Sequence, residues 1–102
     1  MVISQGEIWW AEVEDMRRPV LVVTRSEAVL VLNGIVVAPL TRTIRGIPSE
    51  IRLGSDEGLA EECVASFDNL QRVRRTNLTA VVGDLGWRRD ELCRALEAMA
   101  DC

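Results

Sequence analysis

None of the 102 residues is histidine, so any reaction at this chain proceeds without the commonest proton carrier among side chains. That removes imidazole acid–base chemistry and every Ser-His or Cys-His nucleophile pair. The three cysteines, Cys63, Cys93 and Cys102, are widely spaced, form no CxxC, and have no histidine to complete a zinc set. Neither a structural disulfide nor a metal ligand set is expected, and no cofactor motif is present. Arginines, carboxylates and hydroxyls remain. All twelve basic residues are arginine, whose planar fork of donors and permanent charge suit phosphate oxygens and a phosphorane-like transition state. They gather at Arg17-Arg18, at Arg42 and Arg45 beside Thr41, and at Arg72, Arg74 and Arg75. GC-rich coding also favours arginine over lysine, with no functional demand behind it.

The formal net charge is −4, and it is uneven: residues 1–54 carry six arginines against six acids, residues 55–102 six against ten. A uniformly basic nucleic-acid binder is excluded. A local arginine-lined groove on an acidic molecule is not. Read from residue types alone, each candidate has a plain structural alternative. Arg18 could be a strand-start residue paired with Glu14 or Asp15, Thr41 a turn residue closing a buried strand, and Arg42, Arg45, Arg72, Arg74 and Arg75 a solvated face.

The elements that must position these residues are short. The chain is 48% hydrophobic and 27% charged, with 7 Gly and 3 Pro, which suits one domain spanning 1–102. No apolar run approaches the roughly 18–20 residues of a spanning helix, so no membrane partner is expected. The start, Met1-Val2-Ile3-Ser4 followed by Glu7, lacks the basic and apolar regions of a secretory signal, so the expected location is cytoplasmic. Residues 6–13 (GEIWWAEV) and 18–25 (RPVLVVTR) read as the first two strands. Trp9 and Trp10 are adjacent in a strand and face opposite ways, one into the core, the other free for a dimer contact or base stacking. Asn33-Gly34 between the apolar runs 28–33 and 35–41 is a strong hairpin signal. Alternatively, residues 29–33 are a lead-in and 35–40 is a central strand buried on both faces. Residues 41–46 read as a loop, 48–53 as a strand, 54–58 as a turn and 63–69 as a strand. An Arg-rich stretch follows at 71–75, then a strand near 80–84. Residues 88–100 form the helix, with Leu92, Leu96 and Met99 at helical spacing and Asp90-Glu91 in its first turn. Strands followed by one terminal helix predict a mainly β fold, a compact barrel or rolled sheet with the helix packed against it.

Three segments taken in order, Arg17-Arg18-Pro19-Val20-Leu21-Val22, Val37-Ala38-Pro39-Leu40-Thr41 and Gly46-Ile47-Pro48-Ser49-Glu50-Ile51, resemble the MazF/PemK family of toxin endoribonucleases. Gly6-Glu7-Ile8-Trp9-Trp10 is similar to that family's first strand, Asp68-Asn69-Leu70-Gln71 to a fourth landmark, and the closing helix falls where the family has one. The resemblance spans almost the whole chain. It implies an SH3-like rolled β-barrel, a homodimer, metal-independent cleavage of single-stranded RNA, and a MazE-like antitoxin whose tail occupies the RNA groove. The RNA would be messenger, with ribosomal and transfer RNA as other targets, and the ends a 2′,3′-cyclic or 3′-phosphate and a 5′-hydroxyl. By position, the family's catalytic arginine falls on Arg18 and its catalytic hydroxyl on Thr41. A family RNA-contacting acidic or amide pair falls on Asp68 and Asn69, and Arg42 and Arg45, which flank Thr41, join Arg17, Thr43, Pro48 and Gln71 as the other candidate RNA contacts. One departure stands out: the loop between the first two strands, a long flap in many relatives, is cut to residues 14–17, so sequence recognition does not transfer. A second class on the same barrel is a non-enzymatic toxin like the gyrase-poisoning CcdB relatives, which needs no Arg–Thr pair.

Overall fold

Strand β1 (Glu7–Val13) and strand β2 (Met16–Val22) pair antiparallel with Val13 opposite Met16, so their connection is Glu14 and Asp15 alone. Both turn residues are left-handed, φ 49° and 65°, the conformation that matches a two-residue turn to the twist of its strands. In this computed structural model, which describes residues 2–29 and 31–100, the expected 14–17 loop is thus two residues shorter, because Met16 and Arg17 are already strand.

Five more strands follow: β3 (Gly34–Thr41), β4 (Glu50–Leu53), β5 (Cys63–Ser66), β6 (Gln71–Arg74) and β7 (Leu78–Asp84). The antiparallel order is β4-β5-β3-β2-β1-β7, with β6 also on β3. One edge of β3 carries β2. The other carries β6 along Gly34–Val37 and then β5 along Leu40 and Thr41. A three-residue 3-10 turn, Phe67–Asn69, joins β5 to β6 and absorbs the offset between the two ladders. The expected strand at 63–69 therefore ends at Ser66, and the Arg-rich stretch is a strand of its own. Rolled this way, the sheet forms a half-barrel closed by helix α2 (Asp90–Ala100).

The Asn33-Gly34 hairpin does not form. Residues Ser26–Val29 make a single helical turn, α1. The amides of Val31 and Leu32 then close on the carbonyl of Ala28, and Asn33-Gly34 leads directly into β3. Val29 is buried in the core, so it serves as a plug and not as part of a strand. The alternative, a lead-in before a doubly buried strand, describes the structure. Along β2 and β3, Leu21 and Ala38 face one cluster with Ile8, Phe67, Leu92 and Ala95, while Val20, Val22, Ile35 and Val37 face a second with Trp9, Val29 and Leu78. Burial on both faces removes the alternation that a half-exposed strand would show. No helix among the described residues is long and apolar enough to cross a membrane.

Candidate active site

Where β2 and β3 emerge from the core, an open groove of about 1250 Å³ runs across the sheet. The last β2–β3 pair is Val20 opposite Pro39. Prolines at 19 and 39 supply no N–H to extend the ladder there. Continued outward, the same register sets Arg18 opposite Thr41, and both line the groove. Arg18 is exposed and, among the described residues, has no ion-pair partner, so the alternative pairing with Glu14 or Asp15 is absent. Arg17 lies 4.5 Å from the ring centroid of Trp10, a cation–π contact that fixes its stem on the wall of the groove. Trp9 points the other way and is 2% exposed in the core.

Thr41 ends β3. Its Oγ1 accepts the backbone N–H of Thr43 at 3.2 Å, which starts the turn into the 42–49 loop and leaves the hydroxyl hydrogen able to donate. The loop is held at its far end by Glu50, whose Oε1 accepts the N–H groups of Arg45 and Gly46, both at 3.0 Å. Arg42, Thr43 and Arg45 therefore face the groove from a constrained segment. The opposite wall is Asn69, which donates to Ser66 Oγ at 2.9 Å, and Gln71 at the head of β6.

Of the ten residues singled out in the sequence, Arg17, Arg18, Thr41, Arg42, Thr43, Arg45, Asn69 and Gln71 come together in this groove. Pro48 and Asp68 do not line it. Asp68 instead accepts a hydrogen bond from the buried Ser49 hydroxyl and ties the loop before β4 to the turn after β5. Sequence reasoning missed the wall formed by Gly58, Leu59, Ala60 and Glu61. Glu61 pairs with Arg42 at 2.8 Å, and no local pattern marks it.

Cys63 also borders the groove. Burial, and then the nearby carboxylates of Glu57 and Glu62, push its thiol above the ordinary value, which keeps it protonated and inert as a nucleophile. Cys93 is exposed on α2, and Cys102 lies outside the described residues. Among the described residues no group of three or more cysteines or acids is placed to hold a metal ion.

A family model described as PemK-like, MazF-like toxin of type II toxin–antitoxin system matches residues 4–100. The chain belongs to the PemK/MazF family. A relative from Mycobacterium tuberculosis named "Probable endoribonuclease MazF5" is 39% identical, over 97% of this chain and 94% of its own length. The solved structure of the "Mycobacterium tuberculosis toxin MazF-mt6" superposes with a TM-score of 0.84 at 32% identity, over 93% of this chain and 96% of its own. The same PemK/MazF fold recurs at 19% identity, with a TM-score of 0.81 over 95% and 93% of the two chains, in an "Endoribonuclease in complex with its cognate antitoxin from Mycobacterial species". In this PemK/MazF chain three of the segments that carried the resemblance meet at one groove, from β2, the end of β3 and the turn before β6, with the loop after β3 beside them.

Proposed function

We infer that the chain is the toxin of a type II toxin–antitoxin pair and an endoribonuclease that cuts single-stranded RNA in this groove without a metal. The convergence of Arg18 and Thr41 on one face of the groove carries the reading. RNA needs no external nucleophile, because its 2′-hydroxyl is tethered beside the phosphate. The 2′-oxygen bonds to phosphorus, the bond from phosphorus to the 5′-oxygen breaks, and the products are a 2′,3′-cyclic phosphate and a 5′-hydroxyl. Arg18 supplies charge to the non-bridging oxygens and Thr41 a hydroxyl hydrogen bond to the same phosphate. A guanidinium keeps its proton in proteins, so the proton acceptor is not an arginine. The 2′-hydroxyl proton passes to water or a phosphate oxygen, and the leaving 5′-oxygen takes one from solvent. Arg17, Arg42, Thr43, Arg45, Asn69 and Gln71 hold the strand, while Pro48 and Asp68 act through the loop they shape.

The partners follow from the same reading: a MazE-like antitoxin whose acidic tail places carboxylates where phosphates would lie, and a second copy of the chain. Large apolar side chains left exposed, Trp87 at 89% and Val31 at 80%, support assembly. The location is cytoplasmic. The endoribonuclease names of the relatives do not favour the non-enzymatic, gyrase-binding alternative.

Incubation of the pure protein with a long RNA in EDTA, followed by end mapping, tests the reading. Cuts confined to unpaired segments, with 5′-hydroxyl ends, are expected. Cleavage that returns only with added divalent ion, or equal cutting of a duplex, overturns it.

A further inference from the structure

A groove that takes phosphates disfavours carboxylates by charge repulsion, yet this one holds two, Glu50 and Glu61. Glu50 has a structural duty, since its Oε1 receives the two backbone N–H groups that shape the 42–49 loop. Glu61 has none: its ion pair with Arg42, at 2.8 Å, is what holds it among the described residues. Both partners are exposed, and an ion pair of that kind adds little to folding, so stability does not account for it.

The backbone that presents Glu61 is nonetheless pinned. Glu57, four residues earlier, is clamped by Arg88 at 3.0 Å. Gly58 (φ +88°) lies so close to β7 that a Cβ there would fall 2.6 Å from the carbonyl oxygen of Val82, and a Cβ on Gly83 would fall 2.0 Å from that of Glu57. A fixed wall therefore presents the Glu61 carboxylate beside the Arg42 guanidinium of the 42–49 loop, both lining a groove read above as an RNA site.

A phosphate cannot approach that carboxylate, but a neutral N–H can, and in single-stranded RNA the base edges supply such donors. The Watson–Crick edge of guanine carries one acceptor, O6, beside two adjacent donors, N1–H and N2–H. That order complements a guanidinium next to a carboxylate. Uracil presents one donor between two acceptors, so a carbonyl oxygen would face the carboxylate. We propose that the Arg42–Glu61 pair is a base-reading element that selects guanine over uracil, Glu61 accepting N1–H and N2–H while Arg42 donates to O6. It rests on the reading that RNA occupies this groove.

The test is a titration with non-cleavable 2′-O-methyl hexamers: six uridines, and six variants carrying one guanosine at each position in turn. A good bidentate base contact discriminates by about 1–3 kcal/mol, so the best guanosine hexamer should bind the wild-type protein at least about fivefold more tightly than hexauridine. Glu61→Gln should lose most of that ratio while binding hexauridine at least as well, because a negative charge has left the groove. Equal affinity of the wild type for all seven hexamers, or an unchanged ratio in Glu61→Gln, overturns the proposal. Cleavage of an unmodified RNA, run in parallel, separates the two readings. Guanine preference without cutting refutes the nuclease and leaves the base reader standing, and cutting without guanine preference does the reverse.

Discussion

In the 3-10 turn just before α2 the guanidinium of Arg88 is enclosed by acceptors: Glu57 at 3.0 Å, the two oxygens of Glu91 at 2.7 and 3.0 Å, and the carbonyl of Arg52 at 2.6 Å. At the mouth of the groove Arg18 has no carboxylate partner among the described residues. The first arginine joins the helix to the loop before β5 and leaves only 19% of its side chain exposed. The second keeps its donors for something outside the chain. An arginine surrounded by acceptors stabilises the fold, and one stripped of them is available for an anion, so surrounding groups and not the residue type divide the two roles.

The sharpest way to break this contrast is to truncate both. Arg88→Ala leaves Glu57, whose side chain is 7% exposed, without its partner. Removing one member of a buried pair costs about 3 kcal/mol, so a denaturant midpoint should fall steeply. An unchanged midpoint would dissolve the distinction. Arg18→Ala should do the opposite, lowering cleavage about a hundredfold or more through loss of a transition-state donor while the midpoint stays fixed. Next in size is Thr41→Val, which keeps the shape and removes the hydroxyl. Cleavage should fall about tenfold, with Thr41→Ser retaining most activity. Equal rates for the two variants would make Thr41 a turn residue only, serving the Thr43 amide.

The smallest effect is on pH. The hydrogen bond from Arg88 lowers the pKa of Glu91 below its ordinary 4.5, against the opposing influence of burial. Between the lowered folded value and 4.5 the unfolded chain binds more protons, so stability rises with pH across that window. The contribution is complete above about pH 4.5 and is lost as pH falls through the folded value. Thermal melts between pH 3 and 6 should show Glu91→Gln removing part of the acid slope, by less than about 1 kcal/mol because the pair is partly exposed. The Arg18→Ala slope should match wild type.

Much of the frame was legible because its signals are local. The aromatic and β-branched runs of β1 and β2 and the helical spacing of Leu92, Leu96 and Met99 need no distant partner to be recognised. Asn33-Gly34 misled for the opposite reason. Its turn preference is real, but burial of Val29 and the amides closing on Ala28 decide that segment, and both depend on tertiary contacts. The groove divides the same way. Its Arg18 and Thr41 came from segments consecutive in family order and Arg42 and Arg45 from flanking Thr41, whereas Glu61 reaches Arg42 across the fold, where Gly58 and Gly83 let two backbones approach. Arg88 likewise pairs with Glu57 at a separation of 31 residues that no periodicity encodes.

The Glu14-Asp15 turn bears on the topology of the substrate and not only on its own strands. A hairpin that closes in two residues puts no strap over the groove beside Arg18. A polymer can then be laid in sideways at any point along its contour, with no need to thread a free terminus. A circular RNA should therefore be cut at its unpaired stretches as readily as its linear form, and the first cut should open the circle and not shorten an end.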